Sequence, residues 1–210
     1  MVTCQPPSCT PEQIPTLELV IEPGTTIRFT SMLQSGFIVK LKPGQTIRQL
    51  LRTLPNFTDS YLQERIQTIF LNSIPADSVD LELPDGAILA LSAAMPGLAG
   101  AIFRRGGRHR TLRSQPEPPI STPEIRPENR GRCTVKLFNH IARERGETLL
   151  SRGVILRKPA LQGFLDRQGE QLEAMIRQRI LDGNSITRGD LARQQIPLIR
   201  VQTREEQASK

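Results

Sequence analysis

Apolar and polar positions alternate in short blocks along the first hundred residues, and the blocks predict a small sheet with one helix laid across it. Residues 17–21 (LELVI) read as a strand, closed by the turn signal Pro23-Gly24. Ile27, Phe29 and Ser31 alternate with Arg28 and Thr30, which predicts a second, half-buried strand. Gln34-Ser35-Gly36 turns the chain, and FIVKL at 37–41 is β-branched enough to be a third. After Pro43-Gly44, Thr46 is placed to cap a helix whose apolar stripe is Ile47, Leu50, Leu51 and Leu54, at i, i+3, i+4 and i+7. Pro55 ends it. A short helical turn over 59–65 and an apolar strand over 66–71 follow, broken by Asn72-Ser73 and Pro75. Pro84-Asp85-Gly86 is a turn in which Pro presets φ and Gly supplies φ > 0, and 87–91 is the closing buried strand.

Beyond residue 103 the pattern changes. Residues 104–131 hold five prolines and few apolar side chains, too few to bury a core, and read as a linker. From Thr134 the reading is helical, with Val135, Phe138 and Ile141 on one face and Gly146 as the stop. Pro159 suits the first turn of a longer helix that carries Leu161, Phe164, Leu165, Leu172, Met175, Ile176 and Ile180, with a break near Gly169. Asn184-Ser185 or Thr187 caps a last short helix, and residues 196–201 pair as a strand. No internal repeat is visible in the letters.

A single helix after a hairpin packs its stripe across one sheet face. Here a family resemblance enters. FIVKLKPGQTIRQLLRTL, RIQTIFLNSIPA and LPDGAILALSAAMPGLAG, in that order, resemble the second strand and first helix, the third strand, and the closing segment of the small sulfur carriers of thiamine and molybdopterin biosynthesis. The resemblance covers about residues 27–100. It implies an α+β chain: a ubiquitin-like β-grasp N-terminal domain followed by a linker and a mainly helical C-terminal region. The expected divisions are a disordered lead-in at 1–15, the β-grasp domain at 16–103, the Arg/Pro-rich linker at 104–131, a basic, mainly helical region at 132–202 and a disordered tail at 203–210. The resemblance also implies an extended tail ending in glycine, for which Gly100 and the Gly106-Gly107 pair are the candidates. Both are internal, so a carrier carboxylate would exist only after proteolysis at Gly107 or Gly100.

Charge divides the chain at the same place. Residues 1–103 hold six Lys and Arg against nine Asp and Glu, a net −3, whereas residues 104–210 hold 22 against 12, a net +10. The basic half attracts phosphate or acidic protein at long range. Arg104, Arg105, Arg108, Arg110 and Arg113 are the candidate polyanion- or partner-binding cluster, without interleaved aromatics on which bases could stack. Catalytic chemistry is not expected. Only His109 and His140 are available for acid–base work, neither within a recognisable triad, and there is no phosphate-binding glycine loop. Cys4, Cys9 and Cys133 lack the spacing of a zinc site, so no metal or cofactor is expected. Residues 87–103 carry no charge but are broken by Pro96-Gly97 and are too short for a span, so no membrane insertion is expected. The three cysteines and the polar N-terminus, read as no signal peptide, fit a cytoplasmic protein. The expected function is a non-enzymatic, ubiquitin-like protein-interaction module with a protein partner. The alternatives are a sulfur-carrier or modifier precursor and a weak, nonspecific nucleic-acid-binding protein.

Overall fold

The computed structural model describes residues 14–113 and 131–206. Residues 1–13 of the expected lead-in, 114–130 of the expected linker and the last four residues of the expected tail lie outside the described residues.

The first half of the chain runs β1 (Thr16–Ile21), α1 (Thr26–Phe29) with a 3₁₀ turn over Thr30–Gln34, β2 (Phe37–Lys40), α2 (Ile47–Leu51), α3 (Asp59–Glu64), the hairpin β3 (Thr68–Leu71) and β4 (Ile74–Pro75), and β5 (Ile88–Ser92). Helix α4 (Gly97–Phe103) and a 3₁₀ turn over Arg108–Leu112 lead onward. The second half runs β6 (Arg132–Leu137), α5 (Asn139–Arg152), β7 (Val154–Arg157), α6 (Lys158–Ala174), the hairpin β8 (Ile176–Leu181) and β9 (Asn184–Ser185), α7 (Arg188–Arg193) and β10 (Leu198–Glu205).

All ten strands form one mixed sheet in the order β4-β3-β5-β6-β2-β7-β10-β1-β8-β9. Read outward from the β2–β7 seam, both wings have the same layout. An antiparallel pair comes first (β2–β6, β7–β10), then a parallel pair (β6–β5, β10–β1), then an antiparallel step to an edge hairpin. The hairpins match in detail. Asn72-Ser73 (φ 50° and 69°) and Asp182-Gly183 (φ 47° and 85°) are two-residue turns with both residues in the left-handed region, which suits the right-handed twist of the flanking strands. Each is locked by the same backbone bond, Ala76 N–H to Ile69 O and Ile186 N–H to Arg179 O, both 2.9 Å. The two wings thus share one layout of strand directions, although the strands in matching places, β5 with β1 and β6 with β10, do not correspond in chain order.

The halves are interleaved. β6, the first strand of the second half, lies between β5 and β2 of the first, and β1 lies between β10 and β8 of the second. This overturns the expected β-grasp domain with a mainly helical C-terminal region. Residues 132–205 supply five strands, and the sheet is common to both halves. The physical reason is period. Cys133, Val135 and Leu137 are all buried and alternate with half-buried Arg132, Thr134 and Lys136, which is strand periodicity. Phe138, read as helical with Val135, only precedes the helix, and Gly146 lies inside α5 rather than ending it. The converse correction applies to residues 27–31, where Phe29, Met32 and Leu33 are buried at helical spacing in α1 and the 3₁₀ turn. Residues 203–205, expected in the tail, close β10.

Other expectations hold locally. Thr46 and Thr187 each cap a helix through a reciprocal capping box with Gln49 and Asp190. α6 is kinked at Gly169 (φ 63°). One face of the sheet carries Leu17, Leu19, Ile21, Val201, Ile199, Leu156, Phe37, Val135, Leu89, Leu91 and Ile69, all buried in a single core with Leu50 and Leu51 of α2, Ile141 and Leu149 of α5 and Phe164 of α6. No helix among the described residues is long and apolar enough to cross a membrane.

Candidate functional site

Strand alternation dictates what the second face of the sheet presents. Following the register, Ile88, Thr134, Ile38, Ile155, Arg200 and Thr16 form one transverse row from β5 to β1. Lys40 lies opposite Arg132, Arg157 opposite Leu198, Lys136 beside Ala90, Gln202 beside Glu18 and Arg204 beside Val20. This face therefore collects six long basic side chains from four adjacent strands, against one carboxylate, Glu18, which pairs with Arg204. Lys40, Arg200 and Arg204 are exposed, whereas Val20, Ile38 and Leu198 between them are buried. Lys40, Lys136 and Arg200 have no carboxylate partner among the described residues.

Two glycines seat two of these cations. Gly36, at the entry to β2, has φ 98°, and a Cβ there would lie 2.7 Å from Thr134 Cγ2 and 3.2 Å from Lys136 Cγ. Gly153, at the entry to β7, has φ 86°, and a Cβ there would lie 3.3 and 3.4 Å from Arg200 Cγ and Cδ. In each wing a strand begins on a glycine whose missing side chain makes room for the aliphatic stem of a cation on the neighbouring strand. The positive φ makes glycine favourable on backbone grounds as well. The stems are thereby laid across the sheet with the charged ends free.

The remaining charged groups act mainly as fasteners. Arg48 bridges Asp80 (2.7 and 3.0 Å) and Asp59, and Arg52 also binds Asp59. Arg52 and Arg48 hold the Asp59 carboxyl below the usual carboxylate range, and Arg48 does the same to Asp80. Between α3 and α5, Tyr61 Oη donates to Glu144 Oε2 at 2.8 Å, Arg65 pairs with Glu144, and the Arg145 guanidinium lies 3.6 Å from the Tyr61 ring centroid. Arg65, with Tyr61 as a second donor, depresses the Glu144 carboxyl, and burial raises the Tyr61 hydroxyl. The Cys133 thiol is buried and pushed up to about 12 by desolvation, which leaves it a poor nucleophile. No group of three His, Cys, Asp or Glu among the described residues is placed to hold a metal ion.

The residues singled out in the sequence divide. Gly100 lies inside α4, where a Cβ would fall 1.7 Å from Met95 O, so this stretch is a folded-back helix and not an extended tail. The Gly106 N–H donates to Asp77 Oδ1 at 3.1 Å, and Gly107 opens the following 3₁₀ turn. Arg105 is turned inward, donating to the carbonyls of Leu62 and Ile66 at 3.0 and 3.1 Å. Arg113 binds the Ile102 and Arg104 carbonyls and Asp77, each at 2.8 Å. These two arginines fasten α4 and the turn after it to the first wing. Arg104, Arg108 and Arg110 are exposed. The candidate cluster is therefore not one surface, and the larger basic surface is the second face of the sheet. Its residues were hidden in the sequence, because they come from strands separated by up to a hundred residues and more. The visible signal is that the basic residues of RCTVKL and LIRVQTR, Arg132 with Lys136 and Arg200 with Arg204, are four apart and so fall on one side of their strands. Comparison of the chain with protein-family models, curated proteins and solved structures finds no match.

Proposed function

We propose that this protein is a non-enzymatic interaction module that docks an acidic protein partner on the second face of its sheet. The observation that carries the reading is that Lys40, Lys136 and Arg200 on that face have no carboxylate partner among the described residues. Unpaired cations on one face sum to a positive field, which a partner's carboxylates neutralise and which steers the encounter. An acidic protein surface is favoured over nucleic acid by the aromatic content. The aromatic side chains on the face are Phe70 and, just past β6, Phe138, both at one end of it, and Phe103 of α4 leans on Phe70 at a tilt of 57° with ring centroids 5.3 Å apart, so no row of stacking rings accompanies the cations.

The test is titration of the full chain with poly-L-glutamate, followed residue by residue through backbone amide shifts. Shifts concentrated on β2, β6, β7 and β10 are expected, weakening as salt rises past about 0.1 M, where the Debye length is about 10 Å. The double variant Lys40→Gln/Arg200→Gln should abolish them, and Arg104→Gln/Arg108→Gln/Arg110→Gln should not. The reverse pattern would refute the reading. So would tight binding of unrelated oligonucleotides that survives high salt.

A further inference from the structure

We infer that the cavity between the segment leading into α4 and the second face of the sheet is a binding site for a small organic anion with an apolar body. The cavity measures about 420 Å³, within the range of small-molecule sites. Its walls are Phe70, Ile88 and Ala90 on the sheet, Met95 before α4, and Phe138 before α5. The tilted contact of Phe103 with Phe70 fixes one wall, and Gly100, whose Cα faces the Met95 carbonyl too closely for any side chain, holds the Met95 segment against α4.

Lys136 is the one ionisable side chain in this lining. Its stem rests on Gly36, and it has no carboxylate partner among the described residues. A ligand that brings its own anion gains a charge-assisted hydrogen bond from Lys136 and is selected over a neutral one. Ser92 supplies a second polar contact. Its Oγ accepts from Asn139 Nδ2 at 3.1 Å, which leaves the hydroxyl proton to donate to a ligand oxygen. One cation and one hydroxyl above a cavity of this size suit a carboxylate or sulfonate carrying a body about the size of an indole ring. Lys136 is shared with the docking reading, whereas Lys40 and Arg200 do not line the cavity, so Lys40→Gln/Arg200→Gln should remove poly-L-glutamate binding and leave indole-3-acetate binding unchanged, which separates the two.

The probes are indole-3-acetate and uncharged 3-methylindole, titrated into the full chain against bound 1-anilinonaphthalene-8-sulfonate fluorescence, with the Met95 methyl resonance as a local reporter. Indole-3-acetate should bind saturably, displace the fluorophore and shift Met95, and 3-methylindole should bind at least tenfold more weakly. Lys136→Gln, a half-buried position whose loss leaves the core intact, should weaken indole-3-acetate at least tenfold and leave 3-methylindole within about twofold. Ala90→Phe should fill the cavity and remove both. Equal affinity of the two probes, indifference to Lys136→Gln, or absence of saturable binding in the native chain would each overturn the assignment.

Discussion

Alanine placed at two helical glycines should change stability in opposite directions. Gly146 lies mid-way along α5, and Gly163 lies in the first part of α6. On propensity alone each Gly→Ala change should stabilise by about 0.5–1 kcal/mol. At Gly146 packing opposes this. A Cβ there would lie 2.6 Å from Thr30 Cγ2, 2.7 Å from Thr30 Cβ and 3.2 Å from Leu33 Cδ1. Those contacts are about 1 Å inside ordinary van der Waals separation. Thr30 and Leu33 are buried, and Thr30 Oγ1 donates to Ile27 O at 2.8 Å, so swinging its side chain aside would break that bond. Overpacking of this kind costs about 1–3 kcal/mol, which exceeds the propensity gain. Gly146→Ala should therefore lose about 1–2 kcal/mol net, at about 2–4 °C of Tm per kcal/mol for a chain of this size. At Gly163 the nearest atom is the far end of the flexible Arg167 side chain at 3.3 Å, so Gly163→Ala should gain about 0.5–1 kcal/mol. Urea denaturation followed by far-ultraviolet circular dichroism measures both. A neutral or stabilising Gly146→Ala would refute the close crossing of α5 over the Thr30 turn.

Two further outcomes follow from the ionisable groups. Glu144, depressed chiefly by Arg65, and Asp59, depressed chiefly by Arg52, contribute stability that is present above the ordinary carboxylate range and lost as pH falls through their lowered values. Denaturation midpoints should fall on acidification below that range, and Glu144→Gln should flatten the decline; an unchanged slope would contradict the Tyr61–Glu144–Arg65 tie. In a Cys4→Ser/Cys9→Ser background, Cys133 should not react with Ellman's reagent at pH 8 in the folded chain and should react fully in urea, since burial raises its pKa to about 12. Rapid native-state labelling would place β6 outside the core.

How much was legible depended on whether a feature is local. The caps Thr46 and Thr187 and the kink at Gly169 were readable, because a capping side chain and its acceptor lie within one turn and a glycine's freedom belongs to the residue itself. Residues 132–137 were misread because Val135, Phe138 and Ile141 offer a three-residue spacing that competes with the two-residue alternation of Cys133, Val135 and Leu137. Tertiary pairing with β2 and β5 settles the competition. α4 was hidden in an uncharged run whose Pro96-Gly97 reads as a break, although proline just before a helix serves as its start. The likeness of the two edge hairpins is not visible in the letters, because those at Asn72-Ser73 and Asp182-Gly183 share geometry and few residues; the turn needs φ > 0 at two positions, which Asn, Ser, Asp and Gly supply in different combinations. The basic face was illegible for a deeper reason. Lys40, Lys136 and Arg200 share one face only because β6 and β10 flank β2 and β7, a fact of long-range topology that no window of sequence contains.

That topology is the claim on which both proposed sites rest, and dividing the chain tests it directly. If β6 completes the first wing and β1 the second, residues 1–113 alone lack the strand between β5 and β2 and leave Leu89, Leu91 and Phe37 without their neighbours Val135 and Leu137. The measurement is the amide spectrum and urea transition of the 1–113 fragment, alone and mixed with 114–210. The expected result is a poorly dispersed spectrum with no cooperative transition for the fragment alone, with dispersion regained on mixing. A fragment 1–113 that is well dispersed and unfolds cooperatively by itself would show a self-sufficient first domain and contradict the interleaved sheet.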